Sequence, residues 1–264
     1  MFSDDICFRY SLAVIFIISP LTIVALQFLT APYGKHYRPG WGPSIPAPAA
    51  WFLMESPTLW LTLLLFPLGK NHSNPVAQIL ILPYLIHYFH RTVIYPLRIR
   101  LKNNGAGDTK TAAGFPVVIA LIGFFFNLLN AYLQTRWVSH YADLDSGRWK
   151  FWLRFAGGLM VFVVGMAVNV GSDYALLGLK SVGGGKYKIP RGGCFELVSC
   201  PNYFGEILEW LGWTIMNWSW AGLGFLLYTC ANLVPRAAAN HRWYLQKFGE
   251  DYPKKRKAVI PFVF

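Results

Sequence analysis

Apolar residues run through this chain in stretches too long for the core of a soluble domain. Polar residues are confined to the gaps between those stretches and to narrow stripes within them. Crossing hydrocarbon as a helix takes roughly 20 predominantly apolar residues. Stretches of that kind predict helices over 8–29, 49–68, 76–97, 115–138, 151–171, 203–217 and 220–235. The last two come from one apolar run, divided where Asn217-Trp218-Ser219-Trp220 reads as an aromatic interfacial turn. Without that break the count would be six. The first run is too long, and its start too weakly basic, for a cleaved signal peptide, so it reads as a retained helix.

Composition agrees. Of 264 residues 55% are hydrophobic and only 14% charged, where soluble domains carry about a quarter charged residues. The expectation is an all-α integral membrane protein, a single membrane domain over 1–264. Charge placement decides between six and seven crossings. Lys35 and Arg38 lie in the first loop, Arg98, Arg100, Lys102 and Lys110 in the third, and Lys180, Lys186, Lys188 and Arg191 in the fifth. The tail adds Arg236, Arg242, Lys247, Lys254, Lys255, Arg256 and Lys257. On the opposite side the fourth loop offsets Arg136, Arg148, Lys150 and Arg154 with Asp143 and Asp145. The positive-inside rule puts the odd loops and the tail in the cytosol. They share a side only if the crossings are odd in number, so seven is the consistent count, with a lumenal N-terminus and a cytosolic C-terminus.

The net charge of +12 fits this bias beside anionic lipid, and fits equally a cytosolic pocket for a polyanionic cofactor. No GxGxxG or GxxxxGK[ST] motif occurs, Gly183-Gly184-Gly185 carries no phosphate-site information, and nothing suggests nucleic-acid reading. Cys7, Cys194, Cys200 and Cys230 form no CxxC pair and read as small apolar fillers. His87 and His90 have no evident third ligand, so no metal site is expected.

The residue hardest to reconcile with lipid is Glu55, inside Ala49-Ala50-Trp51-Phe52-Leu53-Met54-Glu55-Ser56-Pro57. A carboxylate at a bilayer centre costs about 2.5–3.5 kcal/mol on insertion scales and marks a working residue by default. Other helices carry polar stripes at three- and four-residue spacing. These are Tyr88, Arg91 and Tyr95; Asn127, Asn130 and Gln134; Asn169 and Asp173; and Asn202, Glu206 and Glu209. Such stripes need a shared polar interior. The asparagine–glutamine stripe reads as interhelical hydrogen bonding, Asn169/Asp173 and Asn202/Glu206 as a ligand site, and Glu209 either as a site residue or as the partner of a buried arginine. Glu55 and Tyr88 together suit a lipophilic ketone. A tyrosine hydroxyl and a carboxyl kept protonated by burial can both donate to an oxygen that becomes negative in the transition state.

Those residues stand in segments that resemble the steroid 5α-reductase family. Ala50-Trp51-Phe52-Leu53-Met54-Glu55 is similar to its AWFLxE segment, His87-Tyr88-Phe89-His90-Arg91-Thr92 to its HYFHRT signature, and Gly165-Met166-Ala167-Val168-Asn169-Val170-Gly171-Ser172-Asp173-Tyr174 to GMxxNxxSDY. Asn202-Tyr203-Phe204-Gly205-Glu206 follows, and Tyr252-Pro253 through Pro261-Phe262 is similar to the YPxxRKAxIPF terminus. The wording around Glu55-Ser56-Pro57 and Ser199-Cys200-Pro201-Asn202 resembles the plant, brassinosteroid-pathway branch.

The resemblance implies seven helices enclosing a cofactor and steroid cavity in the endoplasmic reticulum membrane. It implies NADPH-dependent reduction of the Δ4 bond of a 3-oxo-Δ4-steroid taken from the bilayer, with a phytosterol such as a campest-4-en-3-one as substrate. Glu55 and Tyr88 would be catalytic; Asn169, Asp173, Lys180, Tyr187, Lys188, Asn202, Glu206, Arg236 and Tyr244 would hold the cofactor. Lysines stand where some relatives have arginine, and Asn240 stands where animal members have histidine. Reduction of another membrane-borne enone or a trans-2-enoyl-CoA is the alternative, and a non-enzymatic sterol or lipid carrier is the rival of a different class. Membrane lipid is the one further partner implied, with no obligate protein partner.

Overall fold

The computed structural model describes residues 3–105, 114–144, 149–182 and 187–264, with the side chains of 103–105 and 180–182 left undescribed. Of the residues singled out above, Lys110, Asp145, Arg148, Gly183-Gly184-Gly185, Lys186 and the side chain of Lys180 therefore lie outside the described part.

Nine helices occur among the described residues: α1 Asp4–Phe28, α2 Ala47–Glu55, α3 Pro57–Leu65, α4 Pro75–Phe89, α5 Tyr95–Gly105, α6 Val117–Arg136, α7 Trp149–Val182, α8 Pro201–Asn217 and α9 Trp220–Phe248. Helix stands at each of the seven predicted positions. Four segments are long and apolar enough to cross a membrane: Asp4–Phe28, Ala47–Leu68, Val117–Tyr141 and Trp149–Leu179. Two predicted helices are interrupted. The second breaks at Glu55–Pro57 into α2 and α3. The third passes through a π-turn, His90–Ile94, between α4 and α5. The fifth and seventh run longer than predicted, to Val182 and Phe248. The all-α expectation misses a small ribbon in which β1 (Ser44–Ile45) pairs antiparallel with β2 (Phe115–Pro116).

The turn expected at Asn217–Trp220 is present. Trp218 ends α8 in the left-handed region at φ 47, and the Ser219 hydroxyl accepts the Gly222 N–H at 2.9 Å to cap α9. Trp218 and Trp220 are both exposed, as interfacial anchors are.

The closest helix pair is α7 with α8, and glycine is the reason. A Cβ at Gly158 would lie 2.7 Å from the Gly212 carbonyl oxygen, and one at Gly165 would lie 2.6 Å from that of Gly205. Spaced seven apart on both helices in opposite order, these glycines bring two antiparallel backbones into contact, the small-residue packing that membrane helices use. A Cβ at Gly205 would also meet the Asn169 backbone nitrogen at 2.4 Å. This close approach sets the polar ends of α7 and α8 against each other. Elsewhere Ile15 of α1, fully buried, seats on Gly224 of α9.

Candidate functional site

Glu55 is the last residue of α2, and its placement follows from the proline after it. Pro57 has no N–H, so the Leu53 carbonyl loses its helical donor. The Ser56 hydroxyl donates to that carbonyl at 3.2 Å, and the Thr58 hydroxyl donates to the Glu55 carbonyl. The span thus breaks without leaving these carbonyls bare. Facing the break is Asn127 of α6, whose amide donates to the Met54 carbonyl at 2.7 Å and to Glu55 Oε2 at 3.2 Å.

Tyr88 is buried in the last turn of α4, just before the π-turn. Its ring stacks on Trp210 of α8 at 5.6 Å between centroids. Its hydroxyl oxygen accepts from the Asn130 amide at 3.2 Å. Behind that bond runs a directed series. The Trp213 indole N–H donates to Gln134 Oε1 at 2.9 Å, and the Gln134 amide donates to Asn130 Oδ1 at 3.1 Å and to the Ala221 carbonyl at 2.9 Å. The Trp213, Gln134 and Asn130 bonds form one line ending on the Tyr88 oxygen, which is met as an acceptor. Asn127 and Asn130, three apart on α6, thereby hold Glu55 and Tyr88 on one face. No hydrogen bond joins the two among the described residues.

The π-turn carries Arg91, 6% exposed. It donates to Asp173 Oδ2 at 2.9 Å, and its guanidinium lies over the Trp51 and Tyr95 rings at 4.6 and 4.9 Å. Asp173 accepts from Asn202 at 2.9 Å on its other oxygen, and Asn169 donates to the Asn202 carbonyl at 2.9 Å. The Asn169–Asp173 and Asn202–Glu206 stripes thus join across the glycine contact. Asn169 Oδ1 remains a buried acceptor with no partner. Glu209, weighed above as a possible partner for a buried arginine, pairs instead with His87 at 2.5 Å. Arg91 is already taken by Asp173, and Glu209 lies a turn deeper along α8.

On the same side, the half-buried Arg236 of α9 donates to the hydroxyls of Tyr33 and Tyr203 and to Asn232 Oδ1 at 3.3 Å. It forms no ion pair among the described residues. Two turns on, Tyr244 is buried against Tyr252 in parallel stacking at 5.3 Å. The Lys35 ammonium sits over its ring at 4.0 Å. Tyr187, largely exposed, meets Trp243 edge-on at 4.8 Å. Tyr187 and Tyr244 are therefore neighbours of one aromatic group, while Lys188 is exposed nearby in sequence. Asn240 bonds His36 at 2.9 Å, and His241 bonds Ser199, which also bonds Tyr252.

The last residues close over the loop before α8. Ser199 N–H donates to the Lys257 carbonyl at 2.8 Å, Cys200 N–H to the Ala258 carbonyl at 3.1 Å, and Arg256 donates to the Pro190 carbonyl at 2.9 Å. Sequence reasoning missed Arg91 as the partner of Asp173, although it stands on the Tyr88 stripe. Tyr33 did not stand out at all, and Lys35 entered only as a loop charge, since nothing local to the first loop marks either as a neighbour of Arg236 or Tyr244.

Residues 113–264 match the family described as 3-oxo-5-alpha-steroid 4-dehydrogenase. The whole chain is 61% identical to the steroid 5-alpha-reductase of Gossypium hirsutum over 264 residues, 100% of each. It is 60% identical to that of Arabidopsis thaliana over 99% of this chain and 98% of the relative. It is 39% identical to 3-oxo-5-alpha-steroid 4-dehydrogenase 1 of Rattus norvegicus over 92% of this chain and 90% of the relative.

Proposed function

From a chain that belongs to the 3-oxo-5-alpha-steroid 4-dehydrogenase (steroid 5α-reductase) family, and so is a membrane oxidoreductase acting on a CH–CH group, we infer reduction of the Δ4 bond of a 3-oxo-Δ4-steroid with NADPH. The reading includes seven crossings of the endoplasmic reticulum membrane, a lumenal N-terminus and a phytosterol-type ketone drawn from the bilayer. Higher identity to the plant steroid reductases, 61% and 60% against 39% for the rat protein, supports the phytosterol choice and a place in brassinosteroid synthesis.

The observation that carries the mechanism is the pair of asparagines on α6 holding Glu55 and Tyr88 on one face. C5 is the β-carbon of a conjugated enone, so its reduction drives negative charge onto the C3 oxygen. Tyr88 donates to that oxygen, its own oxygen already satisfied by Asn130. Glu55, carrying a proton on the oxygen that Asn127 leaves free, donates beside it. Such donors stabilise the enolate because they are fixed before charge develops. A proton at C4 completes the reduction.

Two features fit the residues to NADPH: the unpartnered buried Asn169 Oδ1, an acceptor suited to an amide N–H, and Arg236, a cation held by phenols rather than by an acid. Asn169, Asp173, Asn202 and Glu206 would hold the nicotinamide end, and Arg236, Tyr244, Tyr187, Lys180 and Lys188 the phosphate-bearing end. NADPH, when bound, supplies the hydride.

The test is product analysis by mass spectrometry in microsomes given NADPH with several 4-en-3-one sterols or with a trans-2-enoyl-CoA. A 5α-reduced ketone is expected. Reduction of the thioester alone would move the chain to that substrate class, and no substrate-dependent loss of NADPH would favour a carrier. Glu55→Leu and Tyr88→Phe, which remove the donors, are each expected to lower kcat by roughly a hundredfold or more in protein that accumulates normally.

A further inference from the structure

The His87–Glu209 pair has no part in the reaction derived above, yet it is the most deeply buried acid–base contact described. Nδ1 of His87 and Oε2 of Glu209 are 2.5 Å apart, with side-chain exposures of 4% and 0%. Burying an acid so completely is costly unless the contact does something apolar packing could not. Its position is informative. His87 precedes Tyr88 and Glu209 precedes Trp210, and the rings of Tyr88 and Trp210 stack on each other. The imidazole itself stands edge-on to Tyr88 at 5.0 Å and to Trp210 at 4.5 Å. The bond therefore fastens α4 to α8 one residue away from the ring contact that orients Tyr88. The α6 side fixes the phenol only through its oxygen, by way of Asn130.

We propose that His87 and Glu209 are positioning residues: their hydrogen bond sets the height of α4 against α8 and so the angle at which Tyr88 presents its hydroxyl to the substrate oxygen. This rests on the function inferred above. What matters is a hydrogen-bonding group at the Nδ1 position, not a titrating ring. The two side chains that each imitate one imidazole nitrogen separate these possibilities. Asparagine places an amide N–H near Nδ1, whereas glutamine reaches toward Nε2.

The experiment compares full-length wild type with His87→Asn, His87→Gln and His87→Ala, measuring kcat and KM for a 4-en-3-one sterol and NADPH affinity by direct titration. Loss of the bond should lower kcat about tenfold or more in the Gln and Ala variants, with KM and NADPH affinity held within about threefold. Asparagine should recover kcat to within about fivefold of wild type, a rescue that simple packing would not give to one amide over the other. Equal losses in Asn and Gln, no loss in Gln, or a matching fall in NADPH affinity would each overturn the proposal. A wild type that binds NADPH but turns over no 4-en-3-one would instead sink the functional reading, and this inference with it.

Discussion

Asn130→Leu is the sharpest test of the α6 scaffold, because leucine keeps the branched shape and removes the amide. Asn130 is fully buried and is hydrogen-bonded to Tyr88 and Gln134. Two effects follow. Gln134 loses one acceptor but keeps the Ala221 carbonyl, so one buried N–H is stranded, at a cost of about 1–3 kcal/mol in stability. Tyr88 loses the donor to its oxygen, a bond worth about 0.5–1.5 kcal/mol net. Because that bond polarises the phenol in the direction in which charge develops, most of its value is realised in the transition state. At 1.36 kcal/mol per tenfold, kcat should fall by about two- to twelvefold. Tyr88→Phe removes the donor itself and should cost about 10²–10³. The assay is substrate-dependent loss of NADPH absorbance against sterol concentration, with both variants at matched expression. KM for the sterol should move little. A wild-type kcat in Asn130→Leu would show that the directed bonds do not serve Tyr88, and a loss as large as that of Tyr88→Phe would show that Asn130 holds the fold rather than tuning the phenol.

Gly205→Ala puts a methyl 2.4 Å from the Asn169 nitrogen; overpacking of about 1–3 kcal/mol should lower the melting temperature in detergent and weaken NADPH binding, and unchanged values of both would refute the close-packing account. Arg236→Ala is expected to weaken NADPH binding about tenfold or more with kcat at saturating cofactor little changed, and unaltered affinity by titration would remove Arg236 from the cofactor end. Glu196 is held below the ordinary carboxyl value of 4.5 first by the Gly192 N–H, then by Arg256 and Arg191. A lowered carboxyl contributes stability that is present above its ordinary value and lost as pH falls through the lowered one. Acidification below about 4.5 should therefore lower the amide protection factors (observed exchange corrected for the intrinsic rate) at Ser199 and Lys257, and Glu196→Gln should show lower protection at neutral pH with a flatter pH response; the same pH response in both proteins would rule out Glu196.

The helices and the buried polar residues were legible in the sequence for one reason: hydrocarbon tolerates few polar side chains, so those present stand out. Glu55 could be singled out from its neighbours alone, and the stripes that carry Asn169, Asp173 and Asn202 meet through the Asn202 side chain and carbonyl. What pairs with what across helices was not legible. Glu209 offered itself to any buried cation, and only the depth of α8 against α4 decides for His87 over Arg91. The π-turn was hidden for a related reason, since one extra residue in a helix leaves apolar periodicity almost unchanged. It nonetheless decides which way Arg91 points.

The asparagine–glutamine stripe makes the interhelical bonds that its spacing predicts, and the proposed mechanism gives those bonds a second role. Asn127, Asn130 and Gln134 were read as interhelical hydrogen bonding, as opposed to a site, and the bonds are indeed interhelical. In water the two readings would compete, because a surface asparagine can bond solvent and serve nothing. In a membrane interior every amide must find a protein partner, so the partner chosen determines the chemistry. Asn130 donates to the Tyr88 oxygen, which in the proposed mechanism leaves the phenol to donate to substrate. A residue can be structural by its hydrogen bonds and still serve the chemistry, and the direction of each donor separates the two. That direction depends on where α4, α6 and α8 cross, which no local pattern encodes.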